Sequence, residues 1–246
     1  MPIFILSILI QVALVLHIVK TGRNTTWIWI VVMLPIAGSI AYFVVEVLPD
    51  ITGSKTGRKA GRKIQDIVNP HKDIKSAAHN YSMSSNVENS MRLAGELLKK
   101  NMYVEARDLY KQCLKGVHQY DPYIMYGVAE AEYGLHNFSQ AKEILDELIR
   151  HNPDYKNADA HLLYAKSAEA LGDTELALSE YEILHGYYPG PEAAYRYARL
   201  CHELGEQEKA KTLLNEIITK AKYSGGHYNS IHKEWIKQAR IKLDRI

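Results

Sequence analysis

The feature that most constrains this chain is a small residue that returns at a nearly fixed interval. Ala106, Ala141, Ala177 and Ala210 are spaced by 35, 36 and 33 residues. Tyr110, Leu145, Tyr181 and Leu214 each follow four residues later, one helical turn on along the same face. Pro153 and Pro189 are also 36 apart. Around the third alanine, residues Ala158 to Pro189 read as two short amphipathic helices. Leu162, Tyr164, Ala165, Ala168 and Leu171 mark the first, Gly172-Asp173 the turn, and Leu176, Ala177, Tyr181 and Leu184 the second. Ala165 and Ala177 leave room for a close crossing, and Pro189, with no amide to donate, closes the unit. The turn recurs as Leu204-Gly205 and, less closely, as His136-Asn137-Phe138 and Asn101-Met102-Tyr103. A helix pair this short cannot bury its own apolar face, so it requires stacked neighbours of the same kind.

The spacing predicts helix pairs over 88–100 with 103–116, 122–135 with 138–151, 157–171 with 174–187, and 191–204 with 207–222. Ser224-Gly225-Gly226 breaks the pattern. A last helix over 227–245, with Ile231, Trp235, Ile236, Ala239 and Ile241 among Lys and Arg, has the single apolar stripe of a capping helix, and places Trp235 in the core of that cap. A period of about 34 residues, with small residues at the crossing and Pro at the unit's end, resembles the tetratricopeptide repeat. The resemblance implies an all-α solenoid whose first helices line a concave groove holding a protein or peptide, and it leaves that partner unnamed.

Phasing from the packed alanines turns Tyr123, Tyr126, Glu130 and Tyr133 of the second pair into that groove. Leu162, Lys166 and Glu169 follow from the third pair, and Tyr195, Arg199 and His202 from the fourth. Tyrosine buries area while keeping a polar end, so this array suits peptide binding. Arg199 is expected to meet an acidic group on the partner. Only Lys166 and Arg199 match the basic clamp that some such proteins use for a C-terminal carboxylate.

The N-terminal third has a different character. Residues 3–19 and 27–48 are almost wholly apolar, separated by a polar loop. At about 1.5 Å per residue, the second run exceeds a hydrocarbon core of about 30 Å and the first is near the lower limit. No Lys or Arg precedes the first run, which argues against a signal peptide. The expectation is a two-span transmembrane hairpin over 1–49, a basic flexible linker over 50–87 with a short helix near 73–79, and the solenoid over 88–246. Lys55, Arg58, Lys59, Arg62 and Lys63 outnumber Lys20 and Arg23 of the interspan loop. By that asymmetry both termini are expected on the cytoplasmic side. The same five residues are candidates for contact with anionic headgroups.

TWIWIVVMLPIAGSIAYFVVEVLP, with Trp27, Trp29, Pro35, Gly38 and Tyr42, resembles the N-terminal hairpin of the cardiolipin synthase and phospholipase D-type family. The whole chain, including NPHKDI at Asn69–Ile74 and HYNSIHKEWIKQARIKL at His227–Leu243, is similar to bacterial membrane proteins joining such a hairpin to repeats, which implies a bacterial inner-membrane location. Phospholipase D-type transfer needs paired H-x-K-x4-D motifs, in which His attacks phosphorus and Lys stabilises the charged oxygens. No H-x-K occurs, and His71-Lys72-Asp73 has the letters without the spacing. The eleven histidines form no metal-binding pattern, Cys113 and Cys201 read as small core residues, and a net charge of +2 argues against a nucleic-acid partner. The expectation is therefore a membrane-anchored scaffold for a protein or peptide, without cofactor, metal or catalysis and of unspecified oligomeric state. Its alternative is a regulatory or assembly subunit of a phospholipid or envelope enzyme, recognised through the hairpin.

Overall fold

The structure, a computed structural model, describes residues 2–22, 24–47 and 72–246. It divides into two compact units, Met1–Lys72 and Asp73–Ile246, and all regular structure among the described residues is helical. Residues 48–71, which hold most of the expected linker and all five basic residues Lys55, Arg58, Lys59, Arg62 and Lys63, lie outside the described residues.

In the first unit α1 (Pro2–Thr21) is followed by α2 (Thr26–Met33), α3 (Pro35–Tyr42) and a π-helical turn, Phe43–Val47. The second apolar run is not one continuous helix. Leu34 leaves the helical region (φ −123°, ψ 79°) because a residue that precedes proline is disfavoured there. Each of the two resulting eight-residue helices is about 12 Å long, against a bilayer core of about 30 Å. Among the described residues no helix is long and apolar enough to cross a membrane. Gly38 allows the break to fold tightly, since a Cβ there would strike the Ile30 carbonyl. Ile18, Val31 and Tyr42 form the small core of this unit, with Leu14, Val15, Trp27 and Ile28 against them.

The second unit begins in helix, where a linker is expected. α4 (Lys72–Met83) is longer than the short helix near 73–79, and it packs Ile74, Ala77 and Tyr81 onto Leu93, Leu97 and Ala106. The four expected pairs follow: α5 (Val87–Lys99) with α6 (Tyr103–Cys113), α7 (Pro122–Gly134) with α8 (Phe138–His151), α9 (Ala158–Ala170) with α10 (Thr174–Tyr187), and α11 (Glu192–Glu203) with α12 (Gln207–Tyr223). Three of the first helices start on a side-chain cap: Asn86, Asp121 and Asn157 each accept from backbone amides in the first turn. The turns inside the pairs share one geometry, a left-handed residue at Asn101, His136, Gly172 and Gly205.

The recurring alanines occupy the crossings: Ala106, Ala141, Ala165, Ala177 and Ala210 are fully buried, and Tyr110, Leu145, Tyr181 and Leu214 are buried one turn on. First helices of successive pairs pack on one another, α5 on α7 and α7 on α9, whereas the second helices lie further apart. The stack therefore curves with its first helices on the concave side. At its end, the single cap helix expected over 227–245 is two helices, α13 (Gly226–Ile231) and α14 (Lys233–Leu243). The Asn229 amide ties α13 back to the Ala221 carbonyl at 2.9 Å. Ile236 and Ala239 are buried, but Ile231 and Ile241 are exposed, so the cap's apolar stripe is narrower than expected.

Candidate functional site

The 36-residue spacing places Tyr123, Tyr126, Glu130 and Tyr133 of α7 in register with Asp159, Leu162, Lys166 and Glu169 of α9. Glu192, Tyr195, Arg199 and His202 of α11 follow 33 residues later. The successive steps of three, four and three residues keep each set on one helix face. The structure brings the ten predicted groove residues onto these three helices, with one correction: Leu162 is buried in the core between the third and fourth pairs and offers no groove surface. Its side chain is covered by the next pair, which periodicity within a single helix does not register.

At the C-terminal half of the groove three cations, Lys166, Arg196 and Arg199, face three carboxylates, Glu169, Glu192 and Glu203, the last 3.8 Å from Arg199 Nε. Glu169 accepts from Arg199 and from Arg196 Nη1 at 3.2 Å, and Tyr181 Oη of α10 donates to it at 2.5 Å. Glu192 takes Arg196 Nε at 2.9 Å and Lys166 Nζ at 3.4 Å. Lys166 also lies 5.1 Å from the Tyr133 ring centre, and Arg196 lies 5.6 Å from that of Trp235, which packs on Tyr195. Arg199 therefore does not wait for an acidic partner; Glu169 holds it. Trp235 is half-buried and braces this network. His202 Nδ1 pairs with Gln207 Oε1 at 2.9 Å, at the groove's edge. Sequence reasoning missed Arg196, although Glu192 and Arg196 stand four apart, the spacing of a helical ion pair.

The N-terminal half is built from aromatic rings and unmatched acids. Tyr123, 63% exposed, meets Tyr155 edge-on at 5.3 Å, and Tyr188 Oη donates to Asp159 Oδ1 at 3.1 Å. Burial, then the neighbouring Asp159, pushes the Glu130 pKa above its ordinary value, with Lys166 opposing. Burial, then Glu130 and Asp159, pushes the Tyr126 hydroxyl up. Tyr155 and Tyr188 come from the connections after α8 and α10. They were legible as a second repeat, since Tyr120, Tyr155, Tyr188 and Tyr223 recur at 35, 33 and 35 residues.

A larger cleft, about 860 Å³, opens between α8 and α10 on the outer side, with Leu145, Leu148, Ile149 and Ile183 among its walls. His161, whose ring nitrogens reach Glu180 Oε2 and Tyr187 Oη at 2.5 Å, lines it. It shares none of the predicted groove residues. Among the described residues no group of His, Cys, Asp or Glu is placed to hold a metal ion. Cys113 and Cys201 are free and buried, and burial pushes the Cys201 thiol up to about 11, so it stays protonated.

Comparison with known proteins agrees with this architecture. Two family profiles described as Tetratricopeptide repeat match residues 97–167 and 165–226, together more than half of the chain. A search of the curated proteins returns no match. Among solved structures, TTC0263, a thermophilic TPR protein of Thermus thermophilus, superposes with a TM-score of 0.55 at 16% identity, covering 76% of this chain and 95% of that one. MamA gives 0.51 at 21% identity, over 61% and 90%. YrrB, described as a TPR protein with an unusual peptide-binding site, gives 0.51 at 16% identity, over 70% and 90%. At these identities the superpositions speak to fold alone. With four stacked helix pairs, buried alanines at their crossings and tetratricopeptide-repeat profiles that together match residues 97–226, the chain belongs to the tetratricopeptide-repeat family.

Proposed function

We propose that this protein is a non-enzymatic scaffold that binds a protein or peptide partner along the concave face of its repeats and is held at a bacterial inner membrane by its N-terminal unit. The observation that carries the binding role is the row Tyr123, Tyr126 and Tyr133, presented on one face of α7 beside a braced charge network. Aromatic and arginine side chains are the ones that concentrate interface energy. The membrane role is supported by the outside of the first unit, where Leu9, Leu16, Val19, Trp29, Met33 and Ile40 are each more than half exposed. Gln11, His17 and Trp27 instead spend their polar atoms inward, on the Val31 carbonyl, Tyr42 and Glu46. An apolar exterior over a polar-paired interior suits lipid better than water. The basic run Lys55–Lys63 favours the orientation with the repeats in the cytoplasm, where the same residues would meet anionic headgroups.

Affinity capture from native membranes, read by mass spectrometry, identifies the partner. Tyr126→Ala with Tyr133→Ala should then weaken its binding at least about tenfold while circular dichroism stays unchanged. Capture that ignores these changes but is lost on Ile149→Ser with Ile183→Ser in the outer cleft would overturn the groove assignment. So would capture that depends only on residues 1–49.

A further inference from the structure

The concave face carries a charge imbalance that the composition of the chain hides. Overall the protein is slightly basic, at +2. In the groove, the three cations Lys166, Arg196 and Arg199 are engaged by three carboxylates, Glu169, Glu192 and, through Arg199 Nε at 3.8 Å, Glu203. Glu130 and Asp159 are left over. Among the described residues no ion pair neutralises either; Asp159 accepts only the neutral Tyr188 hydroxyl, and Lys166, the cation acting on Glu130, is spent on Glu192. Around these two carboxylates stand Tyr123, Tyr126, Tyr155 and Tyr188, whose ring faces attract cations. Both carboxylates are solvent-exposed, so a cation can reach them without displacing protein atoms, and the rings beside them add cation–π attraction.

We propose that the partner segment held in this groove is basic, with lysine or arginine side chains received between the four tyrosines and the carboxylates of Glu130 and Asp159. This rests on the concave face being the binding surface. An acidic segment fits poorly: it would face the two carboxylates Glu130 and Asp159 and would compete with Glu169, Glu192 and Glu203 for the groove's cations. The polarity is thus opposite to that expected from Arg199 in the sequence.

The test uses the full chain in detergent on an array of random-sequence peptides, with the strongest binders then measured by fluorescence anisotropy. Bound sequences should be enriched in Lys and Arg, and their affinity should fall as salt rises. Glu130→Gln with Asp159→Asn, which preserves shape and the Tyr188 hydrogen bond, should weaken the basic binders about tenfold. Glu143→Gln with Glu175→Gln removes the same charge from the outer helices and should leave affinity unchanged. Binders that are acidic or indifferent to charge, an array with no binders, or equal losses in both variants would each overturn the proposal. Tyr126→Ala with Tyr133→Ala separates the two levels. If that variant leaves array binding intact, the groove assignment fails; if it abolishes binding while the charge variant does not, only the basic preference fails.

Discussion

At the scale of single residues, two positions on α7 reverse the usual expectations. Gly127 lies within a helix, where replacing glycine by alanine ordinarily stabilises by about 0.5–1 kcal/mol. Here a Cβ would sit 2.5 Å from the Tyr110 ring, which lies flat against the bare backbone. Gly127→Ala should instead cost about 1–3 kcal/mol by overpacking, and shortening the ring with Tyr110→Leu in the same chain should recover part of it. Denaturant melts of the two variants decide this, and a Gly127→Ala protein as stable as the parent would mean that the ring moves aside freely. Glu132, 2% exposed, is a buried carboxylate that receives Lys111 Nζ at 2.6 Å and Asn137 Nδ2 at 2.8 Å. Burial pushes its pKa up, but the hydrogen bonds from Lys111 and Asn137 outweigh that and hold it below the ordinary carboxylate value. Because the folded pKa is depressed, its contribution is complete above the unfolded value and is lost as pH falls through the folded one. Glu132→Gln should therefore lose about 1–2 kcal/mol at neutral pH and show a shallower decline in acid. Parallel acid limbs for parent and variant would assign the acid sensitivity elsewhere.

At the scale of elements, the helices owe their existence to tertiary burial more than to their own propensity. Pairs of helices of 11 to 17 residues are marginal alone and become stable by stacking. The crossings leave no spare volume: Ala165 and Ala177 are fully buried in one core that runs from α9 to the cap. Ala177→Leu should cost about 1–3 kcal/mol, and thermal unfolding unchanged by it would break the alignment of repeats. Turn chemistry was legible in part. Gly172 and Gly205 announce a left-handed residue, whereas Asn101 and His136 adopt the same conformation without glycine. The full length of α4 was the least legible, because Ala77 is its sole fully buried side chain and the signal comes from Leu93 and Leu97 on the next helix.

At the scale of the whole molecule, the orientation proposal makes a direct prediction. A reporter that works only outside the cytoplasm, fused after Ile246, should stay silent, and the chain should sediment with membranes through its first unit. Strong reporter activity would invert the topology and remove the cytoplasmic partner with it. The exterior of the first unit and the concave face of the second carry opposite chemistry, one apolar and the other tyrosine-rich and charged.

The sequence by itself determined the repeat length and the identity of the residues at the crossings. Those are periodic properties, and periodicity is written along the chain. Only the tertiary structure decided which groove charges remain free, because that depends on distances between helices rather than on spacing within one. Arg199 looks available until Glu169, thirty residues earlier, is found holding it, and Leu162 looks exposed until the fourth pair packs over it. The broken run at Leu34 shows the same division: hydropathy counts residues, but the missing amide of Pro35 decides how far one helix can continue.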